Sequence, residues 1–535
     1  MKFKRTMASM VIAMGLVAAA CGSSSSKTPS SDAGTASTAS TAVSGSSVAP
    51  VDSGGSTSPG KVTGGTLVFA DVSPVVTFDP AKANFPQAGY LRPVYDPLIR
   101  QIDFNKFVPA LATSWDLKGT TLTLKLRTDV KFTDGTAFDA AAVKGNLDRG
   151  KAAKGPMAQV FNAIDSVTVV DPATVTINLV KPRPSIISDL SGIPGEMLSP
   201  KAFDAPGLDR APVGTGPWMF DPSSSVEGEK AVYTKNPNYW DPSVQLVDKV
   251  EIRALADPTA LLNALSTGQV EAALVSAAQI VAAEKAGLEM AKSPTLPWGL
   301  FIFDRDGVVV PAFKDVRVRQ AMAYSIDRKA IVKSILFDRG GQAGGSFFAK
   351  PSDAYSDTAE NAYGLDVAKA KQLLTDAGYP NGFSFDLPTI APFQSMAEAV
   401  SGSLADIGIK ANIVTLPSNL TAAFQTKKYG ASVMLMPLGS PYTFFEQVLT
   451  PGGPYNPFAP DDPALTKLVQ TAATAEGDAA QGAAYSALTT AVSEQGIVIT
   501  LAQGFRTVAY SPKVIGPRIS YTSPPDPRGL GVKEG

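Results

Sequence analysis

The chain has 535 residues, 47 of them basic and 48 acidic, for a net charge of −1, with 44% hydrophobic and 18% charged side chains. Interspersed charge close to zero removes the electrostatic case for nucleic acid or an anionic lipid surface as partner. The sequence contains no histidine, which excludes Ser-His-Asp and Cys-His catalysis, histidine-ligated zinc, nickel or copper, and the usual proton shuttle near neutral pH.

The first residues read as a secretory signal. Lys2, Lys4 and Arg5 precede an apolar run from Met7 to Ala20 that closes Val17-Ala18-Ala19-Ala20-Cys21. The charged start, short apolar stretch and small residues at the end match an export signal, and the run falls short of the roughly 20 residues of a spanning helix. Cys21 is the sole cysteine of the chain and stands where a bacterial lipoprotein is cut and acylated. Ala18 occupies the position where leucine is commoner, and cleavage nearby by an ordinary signal peptidase would leave Cys21 incidental. The position of the only cysteine favours acylation, so a signal peptide over 1–20 and a lipid anchor at Cys21 are predicted. Residues 22 to about 60 are nearly all Ser, Thr, Gly, Ala, Pro and Asp. Such a segment lacks the apolar surface to offset backbone ordering, so 21–61 is predicted to be a flexible tether. Its root-mean-square reach is on the order of 35 Å.

The remainder is globular in composition and exceeds the size at which one core keeps growing, so two or three domains are expected. No intramolecular disulfide is available with one cysteine. Gly65–Ala70 reads as the first strand. Thr121–Arg127 alternates, placing Leu122, Leu124 and Leu126 on one face. Phe138–Leu147 has helical spacing. Ser166–Val170, the turn Asp171-Pro172 and Thr174–Leu179 predict a hairpin. Lys249–Arg253 predicts a strand and Asp257–Ser266 a helix. Asp315–Leu336 predicts one long amphipathic helix, and Asp366–Ala377 another with Gly378 as its C-terminal cap. The class is mixed α/β without an internal repeat.

Catalytic signatures are missing. There is no Gly-x-Ser-x-Gly elbow and no phosphate loop ending in Gly-Lys-Ser/Thr. Gly214-Thr215-Gly216 opens like a dinucleotide fingerprint, but Pro217 follows and Met219 stands at the third glycine. Asp304-Arg305-Asp306-Gly307 lacks the later acids of a calcium loop and reads as a connection after a strand. Carboxylates are plentiful, yet nothing singles out a pair for glycoside cleavage. No enzyme, cofactor or metal site is predicted.

A series of segments resembles the extracellular solute-binding proteins of family 5, the dipeptide-, oligopeptide- and nickel-binding components of ABC importers. They are Tyr95-Asp96-Pro97-Leu98-Ile99, Pro109 to Trp115, Leu124 to Phe138, Pro212 to Pro217 with Asn236 to Trp240, Leu265 to Glu271, and Phe313 to Ala321 ending Ile326-Asp327-Arg328. Most of these residues have structural rather than ligand-binding reasons to recur. Gly214 and Gly216 suit a turn that other residues resist. Trp115 and Trp240 suit core anchors, and Asp315, Arg317, Arg319 and Asp327 suit capping and ion pairs at a helix start.

The resemblance implies a two-lobed periplasmic-binding-protein-like fold of type II. The first lobe would span 62–297, with an extra subdomain at about 106–210, the second 298–499, and residues 500–535 would return to the first. It implies capture of an oligopeptide-like or other small organic solute in the interlobe cleft by a monomer, and delivery to ABC permease and ATPase subunits. The expected location is the outer face of the cell membrane, in a periplasmic-type space. Expected cleft residues are Asn84, Phe85, Trp298, Phe347, Phe393, Gln394, Ser440, Tyr442 and Tyr455. Dipeptide-binding relatives carry an aspartate for the ligand's amino terminus. The corresponding stretch here, Met436 to Phe444, has no acid, which weakens the expectation of a peptide with a free amino terminus. A sensor or surface-interaction lipoprotein on the same fold is the alternative, and an exported hydrolase a third reading that lacks visible catalytic residues.

Overall fold

The computed structural model describes residues 64–103, 106–418, 420–437, 439–516 and 526–533. The predicted signal peptide, Cys21 and tether lie outside them. The architecture is organised by a nine-stranded mixed sheet. Its strands run, in spatial order, Ala431–Leu435, Glu289–Ile302, Val498–Tyr510, Ala272–Val275, Thr66–Asp71, Lys249–Ala254, Lys230–Lys235 and Trp218–Phe220, with Gly341–Gln342 also paired to Val498–Tyr510. Thr66–Asp71 lies parallel to both neighbours and is buried on both faces. Leu67 and Phe69 enter one large core, while Val68 and Ala70 meet Leu261, Leu265 and Ile280 from helices Pro258–Ser266 and Ala277–Lys285.

A four-stranded antiparallel sheet forms a separate layer, ordered Ala112–Lys118, Thr121–Leu126, Thr174–Leu179 and Ile164–Asp171. The predicted hairpin is present, and Leu122, Leu124 and Leu126 all point into the core. Helix Ala140–Ala153 covers this sheet with Val143 and Leu147. The Asp139 carboxylate accepts from the Ala142 amide at 2.9 Å and starts the helix, which runs a turn and a half beyond the predicted end.

Three of the family-like segments, joined by Arg528 of the tail, converge on one buried carboxylate. Asp96 accepts from the Tyr239 hydroxyl at 2.9 Å, the Trp240 indole at 3.0 Å, the Thr215 hydroxyl at 3.2 Å and the Arg528 guanidinium at 2.8 Å. Arg528 also bonds Asp526 at 3.0 Å and the Tyr95 carbonyl at 3.0 Å. The returning tail thereby locks the first lobe. Trp240 is held further by the Arg127 guanidinium, 4.2 Å above its ring. Gly214 and Gly216 recur for a different reason than a turn, since neither has a positive φ. A Cβ on Gly214 would lie 2.0 Å from the Val94 carbonyl oxygen, and one on Gly216 2.4 Å from the Val94 carbonyl carbon.

The second lobe departs from expectation in one place. The predicted helix Asp315–Leu336 is two helices, Val316–Ser325 and Arg328–Ile335, because Ile326 takes an extended ψ of 117°. Asp315 and Asp327 each cap the helix that follows them, accepting from Arg317 and Ala330 amides at 2.8 and 2.9 Å. Arg319 and Arg328 are buried and donate to carbonyls of Phe313, Gln495, Thr500 and Tyr363. Asp304 closes its own loop, accepting from the amides of Val308, Val309 and Val310 at 2.6–2.7 Å. Helix Val367–Asp376 matches its prediction, with Gly378 left-handed at φ +88° just past its end.

The Asp96 network generates a prediction. Arg528→Ala leaves Asp96 and Asp526 buried without their common cation, and is expected to lower unfolding free energy by about 3–5 kcal/mol, read from urea midpoints.

Candidate functional site

Two long antiparallel strands, Glu289–Ile302 and Val498–Tyr510, pass through both lobes. Ala291, Val508 and Tyr510 belong to the first-lobe core, whereas Leu300, Ile302, Ile499 and Leu501 belong to the second. Residues 292–297 and 503–507 join no core cluster and carry buried polar side chains, Ser293, Thr295, Gln503 and Thr507. The ladder slips register between Ser293 and Leu296 and again between Trp298 and Gly299, which bends the pair where the lobes part.

A second contact between the lobes is ionic. Strand Thr174–Leu179 of the first lobe leads into Lys181-Pro182-Arg183-Pro184, and helix Pro441–Leu449 of the second presents Tyr442 and Glu446 one turn apart on its buried face. Arg183, 2% exposed, donates to Glu446 at 2.5 Å and to Asp189 at 2.9 Å. Lys181 reaches the other Glu446 oxygen at 2.9 Å. Burial alone would raise the Glu446 pKa, but Arg183 and Lys181 outweigh it and hold the carboxyl below its ordinary value. Asp189 is held above its ordinary value by burial, which Arg183 offsets only in part. The burial of Tyr442, with the negative charge of Glu446, pushes its phenol up to about 12. Sequence reasoning missed this cluster of four charged side chains. Its legible signal was an acid at helical spacing from Tyr442 on the inner face of an otherwise apolar helix.

The expected cleft residues divide into groups. Trp298, half-buried on the first long strand, meets Phe393 edge-on with ring centroids 5.0 Å apart. Gln394 adjoins Phe393; its side-chain NH2 donates to Glu398 at 2.8 Å and its side-chain carbonyl accepts from the Thr415 hydroxyl at 3.1 Å. Phe347 and Tyr442 are fully buried in an aromatic cluster, where Phe347 stacks on Phe444 at 4.7 Å. Tyr455 packs on the same cluster, 6.3 Å from Phe301. Ser440 is half-buried at the start of helix Pro441–Leu449. Asn84 and Phe85 lie apart from these, on the first lobe at the start of a short 3-10 turn, with Phe85 74% exposed. The structure therefore unites Trp298, Phe393, Phe347, Tyr442 and Tyr455 along one aromatic wall of the second lobe. Among the described residues there is no cluster of three His, Cys, Asp or Glu side chains able to hold a metal, and no helix long and apolar enough to cross a membrane.

The model of the bacterial extracellular solute-binding proteins, family 5, matches residues 106–456. The chain belongs to this family. It is a solute-binding protein of the ABC-importer type, not an enzyme, and its family is extracellular. Glutathione-binding protein GsiB of Escherichia coli K12 is 32% identical over 369 residues, 67% of this chain and 70% of the relative. The fold matches the periplasmic binding protein DppA of Helicobacter pylori in complex with peptide STSA, with a TM-score of 0.71 at 23% identity over 89% of this chain and 99% of that one. NikA of Brucella suis, solved with Fe(III)-EDTA, has a TM-score of 0.73 at 23% identity over 88% of this chain and 100% of that one.

The ionic seam has a defined pH dependence. Because the folded pKa of Glu446 is depressed, its contribution is complete above the unfolded value near 4.5 and is lost as pH falls through the folded value. Glu446→Gln is expected to flatten the acid limb of the stability curve, read as urea midpoints from about pH 3 to 6. Arg183→Ala, which leaves buried Asp189 without a cation and Glu446 with Lys181 alone, is expected to cost about 3–5 kcal/mol at neutral pH and to expand the protein in small-angle X-ray scattering.

Proposed function

We propose that the protein is a lipid-anchored receptor that captures an oligopeptide-like or other small organic solute between its lobes and hands it to an ABC permease. The observation that carries this reading is the pair of long strands whose middle belongs to neither core. Two separately packed lobes joined through such a crossing can close on a solute by bending there. The reading keeps a first lobe over 62–297 with a subdomain near 106–210, a second lobe over 298–499 and a return over 500–535; the change from one core to the other along the two long strands supports the lobe division.

Supporting the ligand class, the matched relative is named for glutathione, a tripeptide, and one matched structure holds the peptide STSA. The aromatic wall of the second lobe and exposed Phe85 of the first supply apolar surface of the sort that small-molecule clefts use. Trp298, Phe393 and Tyr455 keep partial exposure, so they are the wall residues assigned to solute contact, with Asn84, Phe85, Gln394 and Ser440 as further contacts. Phe347 and Tyr442 act from behind, fixing the wall. Acylation at Cys21 supplies the anchor.

The test is a thermal-shift screen of the full chain against peptides, sugars, opines, chelates and amino-acid derivatives. A solute at a hundred times its dissociation constant adds about 2.7 kcal/mol. Trp298→Ala and Phe85→Ala are expected to weaken a hit about tenfold or more, and Cys21→Ser to release the protein from membranes. A well-folded sample that no solute stabilises would overturn the receptor reading.

A further inference from the structure

Strand Val498–Tyr510 has two unlike edges. Along one, Glu289–Ile302 accompanies it through both lobes, interrupted only by the two register slips. The other edge is shared by two short strands from different lobes. Ala272–Val275 of the first lobe pairs with Thr507 to Tyr510, and Gly341–Gln342 of the second pairs with Gln503 and Gly504. The two short strands therefore follow one another along a single edge, parted near Phe505. A ladder that is continuous on one side and divided on the other bends at the division. The gap between the short strands widens or narrows as the lobes turn.

One contact occupies that gap. Ala272–Val275 turns at Ser276 into helix Ala277–Lys285, whose Ile280 and Ala283 lie in the first-lobe cluster with Val68. Ala277, at the first position of the same helix, packs instead against the second-lobe core. Gly340 lies against it: a Cβ on Gly340 would sit 2.3 Å from the Ala277 Cβ and 3.0 Å from its Cα. Gly340 has no positive φ, so alanine suits its backbone and Ala277 is the obstacle. The approach to this contact is strained. After helix Arg328–Ile335, Phe337 and Asp338 both take left-handed φ, +54° and +55°, which costs a residue with a side chain energy. Phe337 is 47% exposed, so burial of its ring does not offset that strain. The turn sets the Gly340 carbonyl to accept from the Phe505 amide at 2.7 Å, and Gln342 to donate to the Gln503 side chain at 2.7 Å. Arg339 and Lys292 flank the spot, 3.6 and 3.7 Å from Glu284 of the first-lobe helix. Half-exposed ion pairs of that length add little and do not fix a spacing as a steric contact does.

We infer that Gly340 is a positioning residue for solute capture, its contact with Ala277 being the stop against which the lobes rest in the arrangement that Arg183 and Glu446 join. Both contacts are made together, one in the crossing and one at the ionic seam, so a wedge at the first opens the second. Packed interiors move between discrete arrangements and do not yield smoothly, so one methyl group at this stop moves the lobes. The inference rests on the receptor reading and adds to it the residue that sets the closed angle.

The experiment is small-angle X-ray scattering of the full chain, with thermal melts and glutathione calorimetry, on four proteins. They are wild type, Gly340→Ala, Gly340→Val and the double variant Ala277→Gly with Gly340→Ala. The expected radius of gyration rises from wild type to Gly340→Ala to Gly340→Val, and returns to the wild-type value in the double variant. Glutathione binding is expected to weaken about tenfold or more in Gly340→Val and to recover in the double variant, because only the closed fraction retains solute. An unchanged radius in Gly340→Val overturns the inference. A rise that Ala277→Gly does not reverse makes Gly340 a residue of local structure and also overturns it. So does a lower melting temperature with unchanged radius and affinity. A larger radius with unchanged glutathione affinity overturns the role in capture. If wild type does not bind glutathione, the radius series alone decides whether the stop exists. Silence of the wider solute screen as well would bring down the receptor reading, separately from the stop.

Discussion

The pairing of Glu289–Ile302 with Val498–Tyr510 is the constraint on which the rest depends. One ladder must serve two cores, so its ends are apolar and committed, while its centre joins neither core and buries Ser293, Thr295, Gln503 and Thr507. Apolar side chains in place of these four buried polar ones would fuse the two cores into one and remove the crevice. A polar centre keeps water, or a solute, as the natural neighbour of that stretch. The register slips at either side of residues 294–298 let the ladder bend without losing its hydrogen bonds elsewhere.

Around that crossing the protein distributes its buried cations by task. Arg319 and Arg328 satisfy backbone carbonyls and stitch helices to the second lobe. Arg528 draws Asp96, Tyr95 and the returning tail into one knot. Arg183 reaches across 263 positions of sequence to Glu446 and joins the lobes by charge instead of by backbone. These pairs are expensive to bury and specific in geometry, which suits contacts that must select one arrangement of two large bodies. An apolar seam would hold the lobes in many orientations and would resist reopening.

Local chemistry was legible in the sequence, and long-range chemistry was not. The alternation of Leu122, Leu124 and Leu126, the hairpin around Asp171-Pro172 and the cap at Asp366 follow from neighbours in the chain, and the structure contains them. The family was legible because its segments recur in order. Their reason was only half visible: Gly214 and Gly216 are needed where the 93–95 backbone crosses them, not for a turn. The helix break at Ile326 was hidden because Asp327 is an acceptable interior residue by spacing, and its role as a cap emerges only with the Ala330 amide. Phe347 was legible as an aromatic residue near a cleft, but its depth depends on Phe301 and Phe444, which come from other elements. Glu446 was readable as an anomaly on an apolar helix face, and its partners Lys181 and Arg183 were not.

The placement of Val498–Tyr510 also governs the order in which the molecule can be assembled. This strand lies in the interior of the large sheet, between Ala272–Val275 and Glu289–Ile302, although it is made after all the other long elements. Until it emerges, both neighbours present open edges, and Asp96 waits for an arginine more than 400 residues downstream. A chain delivered amino terminus first therefore cannot finish either lobe in transit. Completion belongs to the final stretch, and the half-made sheet must be protected from pairing with other chains in the meantime.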